Sequence, residues 1–197
     1  MIRLRKVFGV LAVATVAGAA VSAAPATAVV PPVVGTGTVS CQVAGSISFN
    51  PPLVVGGTAP TTVTFTTALS LCTGTGDGAT VLGGSTKVVR TIAANDCLAV
   101  PDVSNSSRSG TIKWRVPIGT PKLAPTDVTL TSGSLSQGPP ITVDGSGSAT
   151  SGSFSGGAIV THVQITEKAA TLVSKCISLT GLKAIHFVRA ASTFVLT

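Results

Sequence analysis

The sequence holds no tyrosine, one tryptophan, one glutamate and two histidines. These shortages exclude more than the abundant residues reveal. Carbohydrate-binding β-sandwiches use rows of exposed aromatic rings as large, flat contact surfaces, and Trp114 with a few phenylalanines cannot furnish such a row. Acid–base catalysis needs side chains that exchange protons near neutral pH, and they are scarce here. A glycosidase sets two carboxylates facing each other across a sugar. Asp77, Asp96, Asp102, Asp127 and Asp144 each fall in or beside Gly, Pro, Asn or Thr turn chemistry, which accounts for all five without catalysis.

Charge is also sparse, at 10% of residues. Thirteen Lys and Arg, less the three in the first six residues, leave ten against six acidic residues, a surplus of four. Spread over the remaining chain, that surplus lacks the one-sided clustering of a nucleic-acid surface, so no nucleic-acid partner is expected. No run beyond the N-terminus is long and apolar enough to span a membrane, which takes roughly 20 residues.

The N-terminus itself reads as an export signal. Arg3, Arg5 and Lys6 form a positive head, Val7 to Val21 is apolar and uncharged, and Ala26-Thr27-Ala28 supplies the small-x-small cleavage pattern. Residues 1–28 are expected to be removed. Residues 29–197 then form a single secreted domain, extracellular or held at the cell envelope. Its cysteines, Cys41, Cys72, Cys97 and Cys176, are even in number, as disulfides in an exported chain should be. Three pairings are open, of which Cys41 with Cys72 and Cys97 with Cys176 is the one expected. The spacings contain no C-x-x-C pair, and His162 and His186 lack ligand spacing to any cysteine. No metal and no cofactor are therefore expected.

What is plentiful is Gly, Ser, Thr and Val, the composition of strands and turns. Val39, Cys41, Val43, Ile47 and Phe49 share one parity, hence one face of a strand. Pro51-Pro52 and Gly56-Gly57 are expected to break this run. Val63, Phe65, Leu69 and Leu71 then form its antiparallel mate. A third strand runs from Val81 to Ile92, where Val88-Val89 suggests a bulge or burial on both faces. Ile112, Trp114, Val116 and Ile118 alternate with Lys113, Arg115 and Pro117, and Trp114 is assigned to the core. Shorter strands are expected at Val128–Leu130, Ile141–Val143, Ile159–Ile165, Ile185–Phe187 and Phe194–Leu196. The stretch from Gly145 to Gly157, nearly all small residues around Phe154, reads as a thin strand with a glycine-lined face. Ala169, Leu172, Val173 and Cys176 change the period to that of a helix at about 167–178. Thr166 is expected to cap it, Glu167 to sit in its first turn, and Gly181 to end it. The expected fold is all-β, a two-sheet antiparallel sandwich of immunoglobulin or jelly-roll type with one late helix.

No motif carries chemistry. The nucleophile elbow G-x-S-x-G needs a central serine, and Gly152-Ser153-Phe154-Ser155-Gly156 has Phe154 there. Gly74-Thr75-Gly76-Asp77-Gly78 lacks both the Lys-Ser/Thr of a phosphate loop and the carboxylates of a calcium loop, so it reads as a turn. Asn105-Ser106-Ser107 fits the N-glycosylation pattern. His162 and His186 alternate with apolar neighbours and so point outward from their strands.

The order of features resembles a group of small secreted actinobacterial β-proteins of uncharacterised function. The matching segments are Gly37-Thr38-Val39-Ser40-Cys41, Ile47-Ser48-Phe49-Asn50-Pro51-Pro52-Leu53, Leu69-Ser70-Leu71-Cys72-Thr73-Gly74, Asn95-Asp96-Cys97, Ile112-Lys113-Trp114, and Cys176 with Gly181-Leu182-Lys183. The resemblance implies a secreted, disulfide-bonded β protein and assigns no catalytic or binding residue.

The expected function is non-enzymatic, a structural or binding role in the envelope or outside the cell. Its candidate surface is a basic stripe of Lys87, Arg90, Lys113 and Arg115, facing an acidic envelope polymer or another surface protein. One alternative is a carrier of an apolar ligand or lipid, which calls for an internal cavity of roughly 300 Å³ or more. Another is a secreted serine hydrolase, which calls for His162 or His186 between a serine and an aspartate.

Overall fold

The computed structural model describes residues 30–97, 108–136 and 138–197. The export signal at 1–28, Pro101, Asp102 and the Asn105-Ser106-Ser107 motif lie outside them.

Alternation of apolar and polar side chains produces nine strands among the described residues: β1 (Val39–Leu53), β2 (Thr61–Gly74), β3 (Gly83–Ile92), β4 (Arg108–Arg115), β5 (Thr126–Ser136), β6 (Thr142–Gly152), β7 (Ala158–Gln164), β8 (Leu182–Phe187) and β9 (Thr193–Leu196). Strands β1 to β7 follow one another as an antiparallel meander. Strand β9 then inserts between β7 and β1, with Ile159 and Val39 both opposite Leu196. Strand β8 pairs with the second half of β1, and the bridge between Ile165 and Phe187 ties it to the end of β7. Thus β8 and β9 are two pieces of one stave, interrupted by a 3₁₀ turn at Arg189–Ala191. Ser192 fills the break and is fully buried. Its carbonyl accepts from the Val43 amide at 2.9 Å and its hydroxyl from the Gln164 amide at 2.9 Å.

The result is an eight-stave closed antiparallel barrel, which corrects the expected two-sheet sandwich. Alternation defines which face is buried, and a sheet that curls onto itself buries the same face as one that meets a second sheet. Curvature decides between them. Register shifts at Ser40/Gln42 in the β1–β2 ladder and at Asp127/Val128 and Leu130/Ser132 in the β5–β6 ladder bend the sheet at opposite positions of the ring, as bulges do. The expected glycine-lined strand is β6. A Cβ on its Gly147 would run into the carbonyl oxygen of Thr129 on the neighbouring strand, so only glycine lets β5 and β6 approach there.

Smaller expectations also shift. Strand β1 runs through Pro51-Pro52 to Leu53. Its ladder to β8 skips from Ser48 to Leu53, so the prolines sit where no amide is needed on that side. At Val88-Val89 the β2–β3 ladder is unbroken, with Val89 simply 57% exposed. Strand β4 stops at Arg115, leaving Val116 beyond it and Ile118 fully exposed. Asp127 and Asp144 lie within strands and not in turns. The Asp127 carboxylate accepts from Thr111 and Ser151, and those hydrogen bonds hold it below the usual carboxylate range.

Helix α1 (Ala169–Ile177) forms where the period changed, but Lys168 occupies the cap position with no side-chain cap. Of its expected apolar face only Leu172 and Cys176 turn to the barrel, while Val173 is 57% exposed. The disulfides pair Cys41 with Cys72 and Cys97 with Cys176, as expected. The first clips β1 to β2. The second anchors α1 beneath one end of the barrel. The other end is closed by the segment from Val33, whose neighbour Gly35 exchanges hydrogen bonds with Ser153 and Phe154. Thr126 Oγ1 donates to the Ser153 carbonyl and accepts from Trp114 Nε1 at 2.7 Å, and the Trp114 ring meets Phe154 edge-on.

Loop-closure entropy sets the size of the two disulfides' contributions, with 31 and 79 residues of separation. Replacing Cys41 and Cys72 by alanine should lower unfolding free energy by about 3.5 kcal/mol, and replacing Cys97 and Cys176 by about 4.5 kcal/mol; urea titration measures both. The same assay should show Gly147→Ala to cost about 1–3 kcal/mol through the clash with Thr129.

Candidate functional site

The buried side chains fall into two clusters. One gathers Val39, Val43, Leu69, Ile112, Ile159 and Phe194 with the Phe154 end; the other gathers Ile47, Phe49, Leu53, Val63 and Ile185 with the α1 end. Between them lies a cavity of about 140 Å³. Its walls are mostly Val, Ile, Leu and Phe, drawn from both clusters.

Side-chain size explains the space. An eight-stranded barrel is just wide enough for inward side chains to fill it or to leave room for one small ligand. At this level the inward positions include Thr67, Thr86, Gly110, Gly145 and Thr161, too small to meet across the axis. The volume is under half of that expected for a lipid carrier. It matches a cavity of about 150 Å³ that accepts a benzene-sized molecule.

One side of the cavity is a seam. Strands β3 and β4 pair only at Gly83↔Arg115, Gly84↔Trp114 and Ser85↔Lys113 among the described residues. Beyond Ser85 they part, and Thr86 and Val88 face Arg108 and Gly110 across the opening, all four lining the cavity. The Val88 side chain rests against Gly110, where a Cβ would meet its Cγ2 at 2.5 Å.

Two cations stand at this seam. The guanidinium of Arg108 lies 5.1 Å from the centroid of the Phe65 ring and that of Arg90 lies 5.7 Å from it, both within cation–π range. Burial lowers the pKa of Arg108, and the nearby charge of Arg90 lowers it further. Burial alone lowers that of Arg90. Guanidinium groups stay protonated in proteins nonetheless, so both side chains keep their charge. Arg108 makes no ion pair with the described residues. Its Nε and the Thr86 hydroxyl are buried without a hydrogen-bond partner among the described residues, a state that costs about 1–3 kcal/mol per group.

The four residues expected to form a basic stripe divide. Lys87, Lys113 and Arg115 are exposed on the outer face of β3 and β4, where Lys113 lies opposite Ser85 and Arg115 opposite Gly83. Arg90 turns to the inner face, opposite the buried Val63. Arg108, absent from the expected set, shares the parity of Gly110, Ile112 and Trp114. Extending the alternation of β4 backwards by two steps was the signal that marked it as inward.

The histidines point outward, as expected, and each binds a carboxylate. His162 Nδ1 is 2.6 Å from Asp144 across the β6–β7 ladder. His186 Nδ1 is 2.8 Å from Glu167, whose second oxygen accepts from the His186 amide at 3.0 Å. Glu167 precedes α1 and serves this contact, not the helix dipole. Burial works to raise the Glu167 pKa, but the hydrogen bonds from His186 outweigh it and leave the carboxyl below its ordinary value.

A carboxyl depressed in the folded state stabilises above its unfolded pKa, and that stability fades as pH falls through the folded value. Glu167→Gln should therefore cost about 1 kcal/mol at pH 7. The gap from the parent protein should close below roughly pH 4, read as urea midpoints across pH. Comparison with protein-family models, with curated proteins and with solved structures finds no match to this chain.

Proposed function

We propose that this chain is an exported, non-enzymatic barrel that binds a small apolar molecule in its interior. The apolar cavity between the two core clusters carries this proposal. Well-packed interiors leave few voids larger than a water molecule, and this one is bounded in part by small residues at inward positions of five strands. Its size suits a single ring or a short chain rather than a whole lipid.

The polarity of the barrel supports a protein that works in water. Apolar side chains fill the inside, while Thr62, Thr64, Thr66 and Lys87 occupy outward positions. A membrane-spanning barrel carries an apolar band outside instead. No helix among the described residues is long and apolar enough to cross a membrane. The two disulfides are compatible with an oxidising, extracellular environment, and the leader at residues 1–28 supplies the route. Against the hydrolase alternative, both histidines are engaged by carboxylates on the outer surface, and neither hydrogen-bonds to a serine among the described residues. The exposed Lys87, Lys113 and Arg115 support contact with an acidic envelope polymer as a second, separate reading.

Benzene tests the cavity. A ligand that binds only the folded state at 100 times its Kd raises stability by about 2.7 kcal/mol. Saturating benzene should therefore raise the thermal midpoint of the parent protein, and should shift the methyl resonances of Val43 and Ile159. Thr67→Leu, which places a larger side chain in the cavity, should abolish both effects while leaving the protein folded. Unchanged resonances in the parent protein would remove the proposal.

A further inference from the structure

The cavity is apolar, yet its seam presents groups that an apolar molecule leaves unanswered. Arg108 is half-buried at the opening between β3 and β4, and it forms no ion pair with the described residues. Its Nε and the Thr86 hydroxyl, on opposite strands of the seam, are buried hydrogen-bonding groups without partners among those residues. Both belong to residues that line the cavity. Arg90 approaches the other side of the seam and adds a second positive charge over the same Phe65 ring. Among the described residues that line the cavity, the acidic one is Asp144, and its carboxylate is committed to His162 on the outer surface.

Resting on the cavity reading above, we propose that the ligand is an amphipathic anion, a single ring or short chain bearing one carboxylate. Its apolar body occupies the interior between Ile47, Ile159 and Phe194. Its carboxylate lies at the seam, accepting hydrogen bonds from the Arg108 guanidinium and the Thr86 hydroxyl. Charge-assisted bonds from arginine to carboxylate are short and about twice as strong as neutral ones. They are stronger still where water is partly excluded. A cation of similar shape meets the charge of Arg108 instead, so the site discriminates by charge as well as size.

The test compares benzoate, benzyl alcohol and benzylamine, which share a ring and differ in charge. Affinities are read by titration calorimetry and by the shift of the thermal midpoint. The expected result is that benzoate binds at least tenfold more tightly than benzyl alcohol and that benzylamine does not bind. Arg108→Met, which keeps the length of the side chain against Phe65, should erase the benzoate preference and leave benzyl alcohol unaffected. Thr86→Val, nearly isosteric, should weaken benzoate by a few-fold and serves if the Arg108 variant does not fold. Raising the salt should weaken benzoate alone.

Binding of benzyl alcohol with no preference for benzoate would overturn this inference and leave the cavity reading standing. Binding of none of the three, nor of benzene, would overturn both. A benzoate preference that survives Arg108→Met and Thr86→Val would place the anion elsewhere, on Lys87, Lys113 or Arg115, and would also overturn it.

Discussion

The structure depends on strand β1 having both of its edges occupied. A strand left open at an edge offers a row of unpaired amides and carbonyls to any other chain. Here β1 is 15 residues long, and β2 covers one edge for nearly its whole length. The other edge is covered by two short strands in tandem, β8 and β9. Remove that interrupted stave and the ring opens into a sheet, its apolar face loses its enclosure, and the cavity ceases to exist. Ser192, buried at the break, keeps the interruption from becoming a hole, because both its carbonyl and its hydroxyl take amides that would otherwise lack partners.

The clusters at the two ends act as stoppers. At one end the Trp114–Thr126–Ser153 chain of hydrogen bonds fixes the loop carrying Phe154. At the other, the Cys97–Cys176 disulfide holds a helix that turns little of its own surface to the barrel. The space between them survives because the residues at mid-height are threonines and glycines. Stability resides at the ends and along the β1–β2 ladder, while the middle can remain partly empty.

Alternation made most of this legible. The inward set of β1, its pairing with β2, the glycine-lined face of β6 and the change of period at α1 all follow from side-chain parity and spacing. Closure into a barrel did not, because it depends on bulges at Ser40/Gln42 and Leu130/Ser132 that leave no mark in a pattern of apolar and polar residues. Nor did the placement of Arg90. Two adjacent valines obscured the parity of β3, and an arginine is expected to face water unless something holds it otherwise. The Phe65 ring that its guanidinium faces lies on the neighbouring strand, 25 positions away in the chain. The cavity was illegible for a related reason: it arises from small residues contributed by five different strands, each unremarkable in its own segment.

Topology also governs when the barrel can exist. The stave that seals it includes β9, the last of the described strands in chain order, and its partner is β1, the first of them. Residues 39 and 196 must meet before the ring is complete, and contacts so distant in sequence form late and slowly. Until then the chain is an open meander in which β1, its longest strand, has an exposed edge. For an exported chain, as proposed above, that order would be an advantage. Segments emerging from a narrow channel would have no means of locking into a barrel while β9 was still inside, so closure would wait for the far side, in the oxidising environment with which the two disulfides are compatible.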